Sequence, residues 1–203
     1  MKKATQTQAD AFARHMCTRF KAPLIHKQGA FGMDWVAKGF DLARALGRTN
    51  LPSGNDFLNN TATTIGTFIY LPDGWDPDTQ IEVVTHECQH VHQFVSNNYL
   101  YLPGGLGMWW LYVTEPEARV QVEADATHAQ MEVRYWRTRE IPPTLEDLVH
   151  PLESGYDLEP RFVDFGKHLL EAKATSVSSG QLNTAAGREA VKWLRENAPE
   201  LSA

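Results

Sequence analysis

The sequence predicts an α+β fold that is mainly helical with a small β-sheet, and three observations predict it. Apolar residues recur at helical spacing over several long segments, TIGTFIYLP (64–72) carries the β-branched and aromatic content of a strand, and low-complexity tracts are absent. A chain of 203 residues with 42% hydrophobic and 10% aromatic content is long enough for one full core. A single domain over 1–203 is therefore expected.

The elements follow in order. Residues 5–20 place Phe12, Met16 and Phe20 on one helical face. DWVAKGFDLARALG (34–47) repeats apolar residues at Trp35, Val36, Phe40, Leu42, Ala45 and Leu46, with Gly47 as a C-cap. TNLPSGNDFLNNTATT then reads as a polar, turn-rich connection, and TIGTFIYLP as one strand ended by Pro72.

Asp76 before Pro77 supplies an N-cap oxygen and a first-turn proline, so a helix is predicted over about 77–96. Thr114-Glu115-Pro116-Glu117 has the form of a capping box opening a second long helix over about 114–138, which the IPP at 141–143 ends. Helices are also expected over about 160–173 and 184–197, the latter carrying Ala190, Val191, Trp193 and Leu194, with a Ser/Gly turn between them.

Composition narrows the partners. A formal charge of -6 argues against a surface that binds nucleic-acid phosphates. The run YLYLPGGLGMWWLYV (99–113) is broken by Pro103 and three glycines and is too short to span a bilayer, and the N-terminus lacks the apolar stretch of a secretory signal. Cys17 and Cys88 do not make a disulfide framework. A cytoplasmic protein without membrane or nucleic-acid partners is expected, its oligomeric state left open.

The chemistry concentrates in VVTHECQHVHQF (83–94). On a helical wheel Ile81, Val84, Cys88, Val91 and Val95 form one apolar stripe, while His86 and His90, four residues apart, lie together on nearly the opposite side. That spacing lets two imidazoles take adjacent corners around a first-row metal. Glu87 points about a quarter turn away, in the position of a general base acting on water. His92 falls beside Cys88 and Ile81, away from the pair, as a partly buried, hydrogen-bonded histidine.

Two histidines need a third ligand. The positions three and six residues after His90 hold Gln93 and Ser96, so the histidine of the extended motif is absent and a carboxylate is the candidate. On the second helix Glu123 sits at the centre of an apolar face with Val120, Ala124, Ala126 and Met131, whereas Glu117, Asp125, Glu132 and His128 fall on the polar face. A buried carboxylate requires a cation: the competing partners are a metal held by His86 and His90, and the guanidinium of Arg119 or Arg134.

HECQH (86–90), the strand before it and the E-x-x-A of Glu123 to Ala126 resemble zinc metallopeptidases of the H-E-x-x-H plus glutamate type, the gluzincin-like group of zincins. They also resemble small phage and bacterial proteins in which HE-x-x-HV-x-Q precedes an E-x-x-A helix. The resemblance covers about 62–137 and implies a zincin-like core flanked by helical N-terminal and C-terminal extensions. It further implies one zinc ion on His86, His90 and Glu123, with Glu87 as base in peptide-bond hydrolysis.

An oxyanion formed in such a reaction needs a donor; Tyr112, His128 and Tyr135 are candidates by neighbourhood. Trp109 or Trp110 would face a substrate side chain or pack in the core. The alternative function is a non-catalytic zincin-like module that keeps the metal for structure or interaction.

Overall fold

The computed structural model describes residues 2–28, 30, 32–45, 53–96, 115–141 and 158–203. Labels below number the elements of those residues. The architecture is mainly helical with a three-stranded sheet. Among the described residues no helix is long and apolar enough to cross a membrane.

Helix α1 spans Gln6–Phe20 and begins with a reciprocal cap: Thr5 Oγ1 accepts from the Gln8 amide at 3.3 Å, and Gln8 Oε1 accepts from the Thr5 amide at 3.0 Å. Its Ala9, Phe12, Ala13 and Met16 are buried. Strand β1 (Leu24–His26) follows, then α2 (Met33–Ala45) and α3 (Gly54–Asn60).

α3 corrects the expectation of an irregular connection. Ser53 caps it by accepting from the Asp56 amide at 3.1 Å, and Phe57 is buried against Met33 and Ala37 of α2. A Cβ at Gly54 would meet Asp41 Oδ2 at 2.6 Å and the Ala37 carbonyl oxygen at 2.7 Å, so only glycine lets α3 approach α2 this closely.

The segment 64–72 is a hairpin, not one strand. β2 (Thr63–Ile65) and β3 (Phe68–Leu71) pair antiparallel with Ile65 opposite Phe68, and Gly66 turns the chain at φ 63°. β1 pairs parallel on the other side of β3, Leu24 opposite Ile69 and His26 opposite Leu71. Among the described residues the sheet order is β1-β3-β2, with β2 at an edge.

Lys27, just past β1, is fully buried. Its Nζ donates to the carbonyls of Phe57 at 2.8 Å and Thr61 at 2.7 Å and to Thr63 Oγ1 at 2.9 Å, tying the end of α3 to the start of β2. Burial lowers its pKa, opposed by the Glu87 carboxylate, to about 8.

Helix α4 spans Pro77–Ser96, as predicted. Asp76 Oδ1 and Oδ2 accept from the amides of Asp78 and Thr79 at 3.0 and 3.2 Å. Ile81, Val84, Cys88 and Val91 are fully buried, but Val95 departs from the predicted stripe at 57% exposure near the helix end.

Helix α5 spans Pro116–Thr138, with Glu115 as an N-cap that makes no side-chain bond and Pro116 in the first turn; Thr114 lies outside the described residues. It ends at Arg139, which adopts φ 60°, before the prolines come into play. Helix α6 (Pro160–Ser178) runs five residues beyond its expected end, and α7 (Ala185–Asn197) is capped by Thr184, whose side chain accepts from the Gly187 amide at 3.0 Å.

The largest apolar cluster joins α1, β3, α4, α5 and α7. A second, with Val120, Ala124, Met131, Val163 and Leu170, packs α6 on α5. α4 and α5 pack directly against each other, so residues on their facing sides can share a site. Gly47 and the tryptophan-bearing segment with Trp109, Trp110 and Tyr112 lie outside the described residues.

Candidate metal centre

Two helices build the site. His86 and His90 stand one turn apart on α4, opposite its buried stripe, with Nε2 atoms 3.1 Å apart and ring centroids 4.8 Å apart. Glu123 of α5 is buried, and its Oε2 lies 3.6 Å from each of those nitrogens. Among the described residues, this is the only group of three metal-ligating side chains whose donor atoms lie within 4.8 Å of one another.

The donor set fits a zinc-sized ion. Edges of 3.1, 3.6 and 3.6 Å enclose a point ~2.0 Å from all three atoms, the length of Zn–N and Zn–O bonds. Two imidazoles and one carboxylate suit zinc chemically, although other first-row divalent ions accept the same ligands. The three side chains keep 16%, 14% and 11% exposure, so the group is not sealed from solvent.

Gln93 orders the site from behind. Its Oε1 lies 3.0 Å from His90 Nδ1, and its Nε2 donates to the Val122 carbonyl at 3.0 Å, beside Glu123. Because an amide oxygen only accepts, His90 keeps a proton on Nδ1, which leaves Nε2 as the nitrogen a metal would take once its own proton is displaced. The residue three positions after His90 thus links both ligand-bearing helices. His86 Nδ1 is buried without a hydrogen-bond partner among the described residues.

The electrostatics pair the carboxylate with the imidazoles. Burial alone raises the Glu123 pKa, but the His90 charge and hydrogen bonds from both histidines outweigh it and hold Glu123 well below the usual carboxylate range. Burial lowers that of His90, while Glu123 and Glu87 lift it to about 9. In the absence of a metal a proton therefore occupies this cluster, and cation binding must displace it. Arg134, an alternative partner for Glu123, instead lies 3.7 Å from Glu82.

Glu87 is buried and lies outside the three-ligand group. Thr64 Oγ1 of β2 donates to its Oε2 at 2.6 Å, so the edge strand holds the carboxylate in place. The sequence gives Gln93 no role beyond closing the HE-x-x-HV-x-Q pattern, and it does not single out Thr64 at all. Gln93 had a usable signal, since it follows His90 by three residues on the same helical face; Thr64 had none, because its contact depends on strand pairing.

The remaining candidates make contacts outside the three-ligand group. His92 is half-buried, edge-on to Phe20 with ring centroids 6.3 Å apart, and Ser96 Oγ is 3.1 Å from its Nδ1. Tyr135 donates its hydroxyl to the Ser178 carbonyl at 3.1 Å. His128 is buried, with Nε2 3.5 Å from Glu132 Oε1.

Glu132 corrects the expectation of a solvated residue. It is 1% exposed and accepts from the Thr184 amide at 3.1 Å, from Thr184 Oγ1 at 2.5 Å and from the Asn183 amide. It caps the start of α7, which covers the face of α5 that the wheel assigns to water. His128 is removed from water on the same side of α5. Asp125 remains partly exposed and pairs with Lys173, and Glu117 is exposed.

No protein-family model, curated protein or solved structure matches this chain. The geometry of His86, His90 and Glu123 therefore carries the functional argument.

Proposed function

We propose that this chain is a zinc-dependent metallopeptidase with a zincin-like core. The observation that carries the proposal is the placement of Glu123 Oε2 3.6 Å from both His86 Nε2 and His90 Nε2 across two helices. These three residues would hold the ion, Gln93 would fix the His90 tautomer, and Glu87 would remain free to act on protons. When bound, zinc supplies Lewis acidity, acidifying a water and polarising a substrate carbonyl.

The chain's own groups do the rest. Glu87 takes the proton of the attacking water and passes it to the leaving amine. Thr64 donates to Glu87 Oε2 at 2.6 Å, and Oε1 is the oxygen assigned to receive that proton. A peptide or protein substrate, a cytoplasmic setting and a phage-like origin belong to the same proposal.

A second reading is a non-catalytic metal-binding module. The placement of Tyr135 favours it, because its hydroxyl is committed to Ser178 and does not serve a reacting carbonyl. One experiment separates the two: Glu87→Gln should retain zinc and lose peptide cleavage. Zinc binding with no cleavage by the unaltered protein across a broad peptide library supports the module instead.

A further inference from the structure

A cleft of about 980 Å³ runs along one flank of α1, and none of the metal-ligating residues lines it. Gln6, Asp10, Arg14 and Lys21 recur on that flank at helical spacing, while Trp75 and Gln80, at the start of α4, close the other side. A cleft of this volume holds a ligand of nucleotide size.

Its two ends differ in chemistry. At one end Gln6 Nε2 donates to Asp10 Oδ1 and to Gln80 Oε1, each at 2.8 Å, and Gln80 Nε2 donates to Asp10 Oδ1 at 3.3 Å. This array answers the Asp10 carboxylate and still offers both donors and acceptors to a ligand. Trp75 is half-buried against the main apolar cluster, so its ring is held in place beside the cleft.

At the other end two cations lack a counterion. Among the described residues neither the Arg14 guanidinium nor the Lys21 ammonium makes an ion pair or a hydrogen bond. The second carboxylate of the cleft, Asp73, is taken by His26, whose Nδ1 lies 2.6 Å from Asp73 Oδ1. The Cys17 and Thr18 carbonyls, which would otherwise repel an anion from this end of α1, accept from the Ala22 and Lys21 amides at 2.8 and 3.3 Å. A chain of net charge -6 thus keeps a cationic end in this cleft.

We propose that the cleft binds a nucleoside monophosphate, with its base stacked on Trp75 and its phosphate held by Arg14 and Lys21. Those two residues stand ~10 Å apart along the helix, within the combined reach of their long side chains. A phosphate monoester brings close to two negative charges for the two cations, where a carboxylate brings one. The amide and carboxylate atoms of Gln6, Asp10 and Gln80 meet the edge of the base. The proposal does not rest on the metal reading.

The test titrates the full chain with AMP by calorimetry, in EDTA so that the phosphate meets no metal, and locates the ligand by NMR shifts of the Trp75 indole. One AMP per chain is expected, with affinity at least ~10-fold above that of adenosine or inorganic phosphate alone and weakening as salt rises. Arg14→Gln combined with Lys21→Gln changes only exposed side chains and should weaken AMP at least ~10-fold with circular dichroism unchanged. Trp75→Leu should weaken AMP and adenosine alike by ~10-fold. No saturable AMP binding up to ~10 mM, adenosine or a tripeptide binding as tightly as AMP, or AMP affinity unchanged in the double variant would overturn the proposal.

Discussion

His90 and Glu123 belong to different helices, yet His90 Nε2 stands 3.6 Å from Glu123 Oε2, both on largely buried side chains. Such a contact means that the α4–α5 interface is built around a polar centre. Its ligands should therefore respond to changes in the groups that orient them.

Gln93 is the clearest of those groups. Gln93→Leu removes the acceptor for His90 Nδ1 and the bond to Val122, and zinc affinity should fall ~10- to 100-fold. Competition with a chromophoric chelator measures it. Unchanged affinity would show that His90 is held by something else.

Thr64→Val leaves the Glu87 carboxylate buried without its 2.6 Å donor. The variant should lose about 1–3 kcal/mol of stability. Under the peptidase proposal it should also lower kcat more than it raises KM, with zinc content unchanged. Urea unfolding and initial-rate kinetics read the two effects separately.

His128 predicts a pH dependence. Burial, then the Lys173 cation, pushes its pKa down to about 4. A histidine depressed in the folded state favours folding fully above its unfolded pKa of ~6.5, and that contribution is lost as pH falls from there toward 4. The loss is on the order of 3 kcal/mol at most. The neighbouring Glu132, whose pKa burial raises, acts in the opposite direction, so the comparison is by difference. Between pH 7 and 4.5 the unaltered protein should lose more stability than His128→Gln; parallel pH profiles would contradict this.

Gly187→Ala should destabilise despite the better helix propensity of alanine. A Cβ there would meet Glu132 Oε2 at 1.8 Å and Thr184 Oγ1 at 2.7 Å, disturbing the cap of α7. Overpacking of this kind costs about 1–3 kcal/mol, more than the ~1 kcal/mol gained over glycine. A drop in the urea midpoint at constant slope would register it.

Much of this was legible where local signals were strong. Asp76 with Pro77 marks the start of α4, and the 3.6-residue period places His86 and His90 on one face and Glu123 on the buried side of α5. Non-local packing hid the rest. β1 has only three residues and exists by pairing with β3; α3 depends on the close approach of Gly54 to α2; and Gly66 divides what reads as one strand. A helical wheel finds one apolar face, but α5 is covered on two sides, so Glu132 and His128 are buried where water is expected. The hairpin carries Thr64 to Glu87, a relation that no spacing in the chain encodes.

The central claim is that Glu123 completes a metal site begun by His86 and His90. The most direct measurement is zinc per chain, by elemental analysis of purified protein after zinc loading and desalting, for the unaltered chain and for Glu123→Ala. The account predicts one zinc per chain, lost in Glu123→Ala while circular dichroism shows the helices intact. Zinc retained at full stoichiometry in Glu123→Ala, or none in the unaltered protein, would contradict it.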